Sequence, residues 1–373
     1  MQRLVVTGAT GALAPFLIHA LLHENPGSSF EFVCIGRRAA GLARERVRAR
    51  IEAICPGCAR RVVAPRFRFI QGDLRDPIRY GGPADAVWHF AADIRWQPEA
   101  ADAVFAANVG GTKHILDLCE RSGATLYHVS TAYTCGRRTG TILEDELLCG
   151  QDFRNAYEAS KAQAEQDVRT WLRDHPGMVF RPSIVMGDTR TGLALAFHGL
   201  YMPVSVLWKL REAARERLGS PDGPIELPLE VPCYTGESRI NVVGADYVTS
   251  LAIELSRKPE SLGRTFHLTH PNPPTMKTMI ESCTSVLDMR GVRLVDKGAS
   301  ALDALTEMAR GFDDSILDLF MTNLPYLADL HPHFDMRNVK EVCGSVPAHT
   351  PLDRDAWERI YRFAIERRFR SIE

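Results

Sequence analysis

The sequence predicts an α/β fold in which a doubly wound parallel sheet is covered by helices on both faces. Three observations support this prediction. Short apolar segments recur along the first half of the chain, and each of them ends in glycine, alanine or a polar residue. Helix-length stretches separate these segments, as the crossovers between parallel strands require. The first apolar segment also runs directly into a glycine-containing turn.

The composition is that of an ordinary globular protein. Of the 373 residues, 45% are hydrophobic and 24% are charged. A chain of this length can bury one large hydrophobic core or two smaller ones. The 45 basic and 46 acidic side chains leave a formal net charge of −1, so the charge gives no case for nucleic acid or an anionic membrane as a partner. No apolar run reaches the roughly 18 residues of a spanning helix, and the N-terminus enters a strand at once, so we expect a cytoplasmic protein.

The nine cysteines are scattered and odd in number, which favours reduced thiols. The segment Cys55-Pro56-Gly57-Cys58 has the spacing of a redox motif or of half a zinc site, but no second cysteine pair has that spacing. Because Leu42 to Ile54 looks like an arginine-rich helix, we interpret this segment as a helix stop. His331-Pro332-His333 has no histidine or cysteine cluster spaced to complete a tetrahedron, so we predict no metal site.

The first element is a short apolar strand at Arg3-Leu4-Val5-Val6, followed by a glycine turn and a helix through Leu22. Gly8 and Gly11 permit a tight turn and let the backbone approach a pyrophosphate, whose charge the helix N-terminus would hold. Ala14, at the third small position, still allows close packing of the helix on the strand. This order of elements predicts a Rossmann-type dinucleotide site, with cofactor-binding residues Gly8, Thr10, Gly11, Ala12 and Leu13.

The second strand, Phe30 to Ile35, ends in Gly36-Arg37-Arg38, with no carboxylate at the strand end. A free ribose 2′-hydroxyl would favour an acidic residue there, whereas the 2′-phosphate of NADP favours arginine. We therefore predict NADP(H) as the cofactor, with Arg37 as the phosphate ligand and Arg46 on the following helix as a second contact. The alternative is that these arginines form only a solvent-exposed basic face.

Two further strands end at the same edge of the predicted sheet. Phe67 to Ile70 leads to Asp73-Leu74, and Ala86 to Phe90 leads to Ala91-Ala92. Ligands bind outside the carboxyl ends of parallel strands, so we expect Asp73 to meet the adenine and Ala91-Ala92 to pass under the ribose. Asp73, Leu74, Ala91 and Ala92 are therefore predicted cofactor-binding residues.

A helix from about Pro98 to Arg121 is interrupted by Asn108-Val109-Gly110-Gly111-Thr112. Because polar and glycine residues are costly inside a helix, we infer a functional reason for this interruption. The strand Thr125 to Val129 then delivers Ser130 and Thr131 to the sheet edge. Side chains alternate along a strand, so only one of these two hydroxyls should face the site.

Tyr157 and Lys161 lie four residues apart in the segment from Asn155 to Lys161. If this segment is helical, both side chains lie on one face. An ammonium nearby favours the phenolate of a tyrosine, whose unperturbed pKa is roughly 10. The pair is thus a candidate acid/base, although the same spacing alone also fits a solvated helix face.

Taken in order, these motifs resemble those of the extended short-chain dehydrogenase/reductase superfamily. Three stretches, Ala91 to Trp96, His128 to Tyr133 and Arg181 to Gly192, are similar to one branch of it. That branch has an NAD-binding domain of the male-sterility type. It contains fatty acyl-CoA reductases and the thioester reductase domains that release products from carrier proteins. Ile240 to Val248 also resembles this branch, although Gly244 stands where a proline is usual.

The resemblance implies an NAD(P)-dependent oxidoreductase whose catalytic residues are Thr131, Tyr157 and Lys161. Tyr157 would donate a proton to a carbonyl oxygen, and Thr131 would orient that oxygen. Lys161 would bind the nicotinamide ribose and keep the tyrosine acidic, while Asn108 would anchor a water or backbone group behind it. Tyr157, Lys161 and Pro182 thereby join the predicted cofactor-binding residues.

The reaction that the resemblance implies is the NADPH-dependent, biosynthetic reduction of an acyl thioester to an aldehyde or alcohol. The acyl group would arrive on coenzyme A or on a carrier protein. Two alternatives stay open: a ketone or aldehyde reductase, epimerase or dehydratase acting on a small metabolite, and a dinucleotide-binding regulator without turnover. The intact Thr131, Tyr157 and Lys161 argue against the regulator. Relatives pair through helices like those bearing Asn108 and Tyr157, so a homodimer is also open.

The second half of the chain is less regular. By resemblance, residues 1–186 and about 240–270 form the dinucleotide-binding domain, residues 187–240 and 270–350 a smaller, mostly helical substrate lobe, and residues 351–373 a C-terminal helix. Gly219 to Gly236 is predicted as a loop, with aromatic Tyr201 before it and Tyr234 within it, either facing substrate or only packing. The other predicted elements are a strand around Met178 to Met186, a helix Phe197 to Leu218, a helix Leu251 to Leu255, a strand Thr265 to Leu268, and helices at about Thr275 to Met289, Ser300 to Leu330 and Asp353 to Phe369.

Overall fold

The structure, a computed structural model, describes residues 2–24, 30–62, 66–218, 223–233, 238–296, 326 and 331–373. The strands in these ranges are β1 (Gln2–Thr7), β2 (Phe30–Gly36), β3 (Phe67–Gln71), β4 (Ala86–His89), β5 (Thr125–Val129), β6 (Thr141–Ile142), β7 (Gly177–Pro182), β8 (Ile184–Met186), β9 (Ile225–Cys233), β10 (Val242–Gly244), β11 (Thr265–Leu268), β12 (Met289–Asp296) and β13 (His333–Phe334).

The helices in the same ranges are α1 (Ala14–Glu24), α2 (Ala40–Ile54), α3 (Ala101–Phe105), α4 (Gly111–Ser122), α5 (Ala156–Trp171), α6 (Tyr201–Leu218), α7 (Ala245–Ser256), α8 (Met276–Val286), α9 (Arg337–Cys343) and α10 (Arg354–Glu366). A π-helical turn, Ala106–Gly110, joins α3 to α4 at the predicted interruption. Within the described part of the chain, none of these helices is both long enough and apolar enough to cross a membrane.

Seven parallel strands in the order β3-β2-β1-β4-β5-β7-β11 form the central sheet. The chain moves outward from β1 through β2 to β3 and then returns to the other side of β1 at β4. This reversal opens a crevice at the carboxyl ends of β1 and β4, where dinucleotides bind in such sheets. The predicted doubly wound, Rossmann-type fold is confirmed.

Both faces of the sheet are covered, as the apolar strands predict. Along β1, Leu4 and Val6 belong to the hydrophobic core that α1 and α7 share, whereas Val5 belongs to the core on the side of α4 and α5. All three side chains are buried. Alternate residues of a strand point to opposite faces, so a strand buried on both sides reads as a continuous apolar run.

The predicted sixth strand is broken at Ser183, where the chain leaves the central sheet. Its first part is β7, while β8 pairs with β10 in a separate two-stranded sheet. The Ser183 hydroxyl donates to Asn241 Oδ1 at 2.7 Å, and the His270 backbone N–H donates to the same oxygen at 2.9 Å. Asn241 Nδ2 in turn donates to the His270 carbonyl at 3.0 Å. One amide thus joins three separate passages of the chain.

A second hydrophobic core lies beyond this junction, between α6, α8, α10, β9 and β12. The C-terminal helix α10 contributes Trp357 and Ile360 to it, and both are fully buried. In contrast, Val339 of α9 packs into the core of the central sheet. We retain the division into a dinucleotide-binding domain, a substrate lobe and a C-terminal helix as a proposal.

Part of the segment predicted as a loop, Gly219 to Gly236, is a strand. Ile225 to Cys233 forms β9 and pairs in parallel with β12, which begins at Met289, where a helix was predicted to end. Ile225, Leu229 and Val231 are buried, and a strand with only one partner tolerates proline. The loop prediction is therefore wrong over β9. Tyr234 and the predicted helix Ser300 to Leu330 lie outside the described residues, except for Tyr326.

Cys55 and Cys58 are joined by a disulfide, so the prediction of reduced thiols is wrong for this pair in this structure. The predicted helix stop is correct, because α2 ends at Ile54 and the Cys58 N–H donates to the Cys55 carbonyl at 2.9 Å. This turn brings the two Cα atoms to 5.4 Å, a separation that a disulfide can bridge. Cys34, Cys119, Cys135, Cys149, Cys283 and Cys343 are free.

Glu144 makes the folding stability depend on pH. Its carboxylate is fully buried and accepts hydrogen bonds from the backbone N–H groups of His267 and Asn338. Burial is the largest influence and raises its pKa from 4.5 to about 7. The folded chain therefore holds this proton more tightly than the unfolded chain does, and stability is lost as the pH rises through this range.

We expect the free energy of unfolding to fall by about 2 kcal/mol between pH values near 4.5 and near 7 through Glu144. Glu144→Gln should remove most of this fall, since the amide does not titrate. Urea unfolding of both proteins across this pH range measures the difference. Glu120→Gln, at an exposed helix position, serves as control. Equal pH slopes for wild type and Glu144→Gln would contradict the assignment.

Candidate active site

A cavity of about 1190 Å³ opens at the carboxyl ends of the central strands. It follows the crevice between β1 and β4 and extends past β5 and β7 toward α6 and α8. Arg46 is absent from its lining and instead pairs with Glu373 at 3.2 Å. The predicted site residues that do line the cavity are Gly8, Thr10, Gly11, Ala12, Leu13, Arg37, Asp73, Leu74, Ala91, Ala92, Thr131, Tyr157, Lys161 and Pro182.

The glycine turn has the close approaches that its sequence predicts. Gly8 has a φ of +70°, and a Cβ at this position would lie 2.8 Å from the Ala91 backbone nitrogen. The Gly11 N–H donates to the Gly8 carbonyl at 2.7 Å, which closes the turn before α1 begins at Ala14. The first N–H groups of a helix have no partner within it, so this end of α1 can hold an anion.

Arg50, which the sequence analysis did not single out, contacts the glycine turn from α2. Its side chain on α2 is buried and donates a hydrogen bond to the Gly11 carbonyl. Burial is the main reason that its pKa is lowered to about 10. Val47 and Ile51 are the other buried residues of α2, so Arg50 is a cation on the apolar stripe of the helix. That position is the sequence signal that could have found it.

Three arginines surround the end of the cavity near β2 and β3. Arg37 follows β2 and is exposed, while Asp73 and Asp93 each pair with the arginine two residues later. The separations are 2.7 Å for Asp73–Arg75 and 2.5 Å for Asp93–Arg95. The hydrogen bond from Arg75 lowers the pKa of Asp73 to about 2, and the charge of Arg37 contributes in the same direction. This end of the cavity can therefore accept phosphate groups.

Tyr157 and Lys161 are brought together by α5, as predicted. Asn155 caps the helix, with its Oδ1 accepting from the Glu158 N–H at 3.0 Å. The two side chains then lie one turn apart and both line the cavity. Thr131, the residue after Ser130 at the end of β5, also lines the cavity, and its hydroxyl lies near enough to the Tyr157 phenol to lower the phenol's pKa. The phenol, the ammonium and the hydroxyl thus meet in one place.

The pKa of Tyr157 is raised in this structure, whereas the sequence predicts that the Lys161 ammonium lowers it. Burial raises the pKa of Tyr157 to about 12, and the nearby Thr131 hydroxyl opposes that rise only in part. Burial also lowers the pKa of Lys161 to about 8. The Lys161 ammonium donates to the Val129 carbonyl at 2.8 Å. In this structure burial outweighs any lowering of the tyrosine pKa by the lysine, and the phenol is held in its protonated form.

Ser130 and Asn108 occupy supporting positions. Ser130 also lines the cavity, but its hydroxyl oxygen is buried and has no hydrogen-bond partner among the described residues. Asn108 lies in the π-helical turn, and its Oδ1 accepts from the Asp93 N–H at 2.7 Å. Its Nδ2 donates to the Asp93 carbonyl and to the Ser160 hydroxyl, both at 2.9 Å. Asn108 therefore binds the chain next to Lys161 and not the lysine itself.

Aromatic and apolar side chains line the remaining part of the cavity. Tyr326, which the sequence analysis missed, donates to Glu158 Oε1 at 2.6 Å and accepts from Asn155 Nδ2 at 2.8 Å. Its ring lies 5.0 Å from that of Trp96. We call the adjoining region between α6 and α8 the apolar arm, and define it by Leu200, Met202, Val204, Leu207, Met276, Met279 and Ile280.

Comparison with known proteins gives a family and several relatives. The model of the family described as male sterility protein matches residues 6–251. The non-canonical nonribosomal peptide synthetase FrzA from Cladobotryum sp is 26% identical to this chain. The match covers 76% of this chain and 27% of that protein. Fatty acyl-CoA reductase 1 from Xenopus laevis is 29% identical, with 37% of this chain and 29% of that protein covered. The chain thus spans about a quarter of the length of these curated relatives.

Among solved structures, the terminal R domain from the myxalamid PKS-NRPS biosynthetic pathway superposes with a TM-score of 0.80 at 23% sequence identity. The match covers 100% of this chain and 92% of that one. At this sequence identity the superposition supports the fold alone, that is, the central sheet and the helices around it.

Proposed function

This chain belongs to the male sterility protein family, and from that premise we propose that it is an NADPH-dependent reductase of acyl thioesters. The membership confirms the predicted superfamily, the extended short-chain dehydrogenases/reductases, and the class of NAD(P)-dependent enzymes. The reduced cofactor, the substrate and the residue roles that follow are parts of the proposal.

One observation carries the proposal: the glycine turn, the group of Thr131, Tyr157 and Lys161, and the apolar arm are parts of a single cavity. A dinucleotide held at the turn would extend along the strand ends toward Lys161. A carbonyl between Thr131 and Tyr157 then has the apolar arm beside it, which suits an acyl chain better than a polar sugar. This favours a thioester over the epimerase or dehydratase alternative.

The side chains have defined tasks in this reaction. The cofactor supplies a hydride to the carbonyl carbon. Thr131 orients the carbonyl oxygen, and Tyr157 donates a proton to it, a role that the protonated phenol suits. Lys161 binds the ribose hydroxyls as a cation at neutral pH. Addition of hydride and proton to the thioester, followed by loss of the thiol, gives one aldehyde and one free thiol, and a second hydride and proton would give the alcohol.

NADPH is proposed over NADH because Arg37 lines the cavity at the end of β2 and no carboxylate stands there. We expect Arg37→Ser to raise the Kd for NADPH about tenfold or more, which corresponds to one charge-assisted hydrogen bond, and to leave the Kd for NADH nearly unchanged. Fluorescence titration with both cofactors measures this. Arg38→Ser, an exposed neighbour outside the cavity lining, is the control, and an equal loss for NADPH and NADH would contradict the role of Arg37.

The acyl donor is proposed to be coenzyme A or a carrier protein. The names of the relatives include a fatty acyl-CoA reductase and a nonribosomal peptide synthetase, and both kinds of donor present a thioester at the end of a phosphate-bearing arm. Arg75 and Arg95 at the cavity rim could meet such a phosphate, since each retains free donors beside its carboxylate partner.

The test is to incubate the protein with NADPH and, separately, acyl-CoAs, acyl carrier proteins, ketones and aldehydes. Cofactor oxidation is followed by absorbance and thiol release by a thiol reagent. Oxidation with stoichiometric release of free thiol is the expected result. Oxidation with ketones or aldehydes but never with thioesters would instead establish a reductase of ketones or aldehydes. Cofactor binding without turnover would establish a dinucleotide-binding regulator.

A further inference from the structure

Three side chains that commonly bind metals lie together outside the cavity, where α1 passes the turn after α2, and a fourth is one helical turn away. His19 and His23 project from α1, and Cys55 and Cys58 come from the turn. A ring nitrogen of His19 and the two sulfur atoms all lie within 4.8 Å of one another. The sequence places His19 and Cys55 far apart, so only the fold reveals this cluster.

His19 has an unsatisfied polar atom at this place. Its Nε2 is buried and has no hydrogen-bond partner among the described residues. A buried polar nitrogen without a partner costs free energy, and a metal ion is one ligand that satisfies an imidazole nitrogen. His23 lies four residues later on the same helix face, and the two ring centroids are 5.7 Å apart. Two histidines at this spacing can bind one ion.

The cysteine turn is held in shape by groups other than the sulfur atoms. The Glu52 carboxylate accepts from the Gly57 N–H at 2.6 Å and from the Ala59 N–H at 3.1 Å. Gly57 has a φ of +80°, which glycine adopts without strain. Because these contacts do not involve sulfur, the turn should still present both cysteine side chains to α1 when the disulfide is reduced.

We propose that the reduced Cys55 and Cys58 thiolates, together with His19 and His23, form a four-coordinate zinc site. Two thiolates and two imidazoles are a common ligand set for structural zinc. Zinc–sulfur bonds of about 2.3 Å and zinc–nitrogen bonds of about 2.0 Å place tetrahedral ligand atoms roughly 3.3–3.8 Å apart. The observed spread among His19, Cys55 and Cys58 therefore needs only small side-chain rotations. The exposed His23, one helical turn from His19, would rotate toward the ion and supply the fourth ligand from the solvent side.

The disulfide and the zinc site are two states of the same residues. A dithiol reductant breaks the Cys55–Cys58 bond by thiol–disulfide exchange, gives two cysteine thiols and is itself oxidised to a disulfide. Zinc binding then releases the two thiol protons. The ion would tie α1 to the end of α2, and these helices carry the glycine turn and Arg50. The site is independent of which substrate the protein reduces.

The test uses the full chain, reduced anaerobically with dithiothreitol, desalted and titrated with zinc or cobalt. We expect about one equivalent of metal per chain, with a thiolate-to-cobalt charge-transfer band and tetrahedral cobalt absorption. Oxidised protein should bind none at this site. Cys55→Ser and Cys58→Ser should lose the charge-transfer band, and the exposed His23→Ala should weaken binding about tenfold or more without disturbing the fold.

The controls are Cys149→Ser, at an exposed free cysteine, and His333→Ala, at an exposed histidine like His23. Both should bind metal like the wild type, and circular dichroism checks that each variant folds. The proposal is overturned if the reduced wild type takes up no zinc, if the controls lose as much metal as the ligand variants, or if excess dithiol does not open the disulfide.

Discussion

Tyr157→Phe should lower kcat for NADPH-dependent reduction by about 10²- to 10⁴-fold, the range typical of losing a general acid. The change removes only the phenol oxygen, which lies near the Thr131 hydroxyl in the cavity. The Kd for NADPH should stay within about twofold, because the loss falls on the transition state and not on cofactor binding. Steady-state kinetics and a separate cofactor titration distinguish the two effects.

A matched control for this variant is Tyr127→Phe. Tyr127 lies on β5, and its hydroxyl donates to the Ser256 carbonyl at 3.2 Å, away from the cavity. It should keep wild-type kcat. If Tyr157→Phe also kept near-normal turnover, the proton would have to come from another group and the proposed role of Tyr157 would be wrong.

Arg181→Met should lower the free energy of unfolding by about 3 kcal/mol or more, because it leaves the charge of Glu165 buried with one cation fewer. The two side chains are fully buried, and Arg181 Nη2 lies 2.7 Å from Glu165 Oε1. Burial tends to raise the pKa of Glu165, but Arg181 and Arg169 keep it below its usual value. Arg181 also donates to the Glu146 carbonyl at 2.8 Å. Urea unfolding at neutral pH measures the loss.

The double variant Arg181→Met/Glu165→Gln should recover part of this stability, since it removes the uncompensated charge. Arg190→Met is the control, because Arg190 is exposed where it pairs with Asp188 at 3.2 Å and an exposed arginine contributes little through such a pair. A loss at Arg181→Met no larger than that at Arg190→Met would show that the buried pair does not hold the sheet to α5.

The first half of the chain was predictable because local signals and tertiary packing agree there. β5 has the predicted bounds, Thr125 to Val129, and α5 places Tyr157 beside Lys161 through spacing alone. The second half was less predictable where these signals conflict. Prolines at 228 and 232 favour a loop, yet burial of the apolar residues between and around them makes β9 a strand.

Within the site, the sequence could not rank the arginines of α2. Arg46 and Arg50 lie four residues apart on one face of α2, so only the placement of α2 along its own axis relative to α1 decides that Arg50 meets the glycine turn. Likewise, the pKa values of Tyr157 and Lys161 depend on how deeply the fold buries them. The contact between α1 and the cysteine turn is equally a product of tertiary structure. The predicted homodimer stays a prediction.

The junction at Asn241 bears on how the apolar arm can open. Ser183, Asn241 and His270 belong to three separate segments of the chain, and the Asn241 side-chain amide joins them. The same segments are also held by backbone hydrogen bonds, since β8 pairs with β10 and the Ile240 N–H donates to the Pro274 carbonyl at 3.2 Å. Because several bonds hold this region, a bulky acyl donor should be accommodated by displacement of α6 and α8 farther along the apolar arm, with the junction itself left in place.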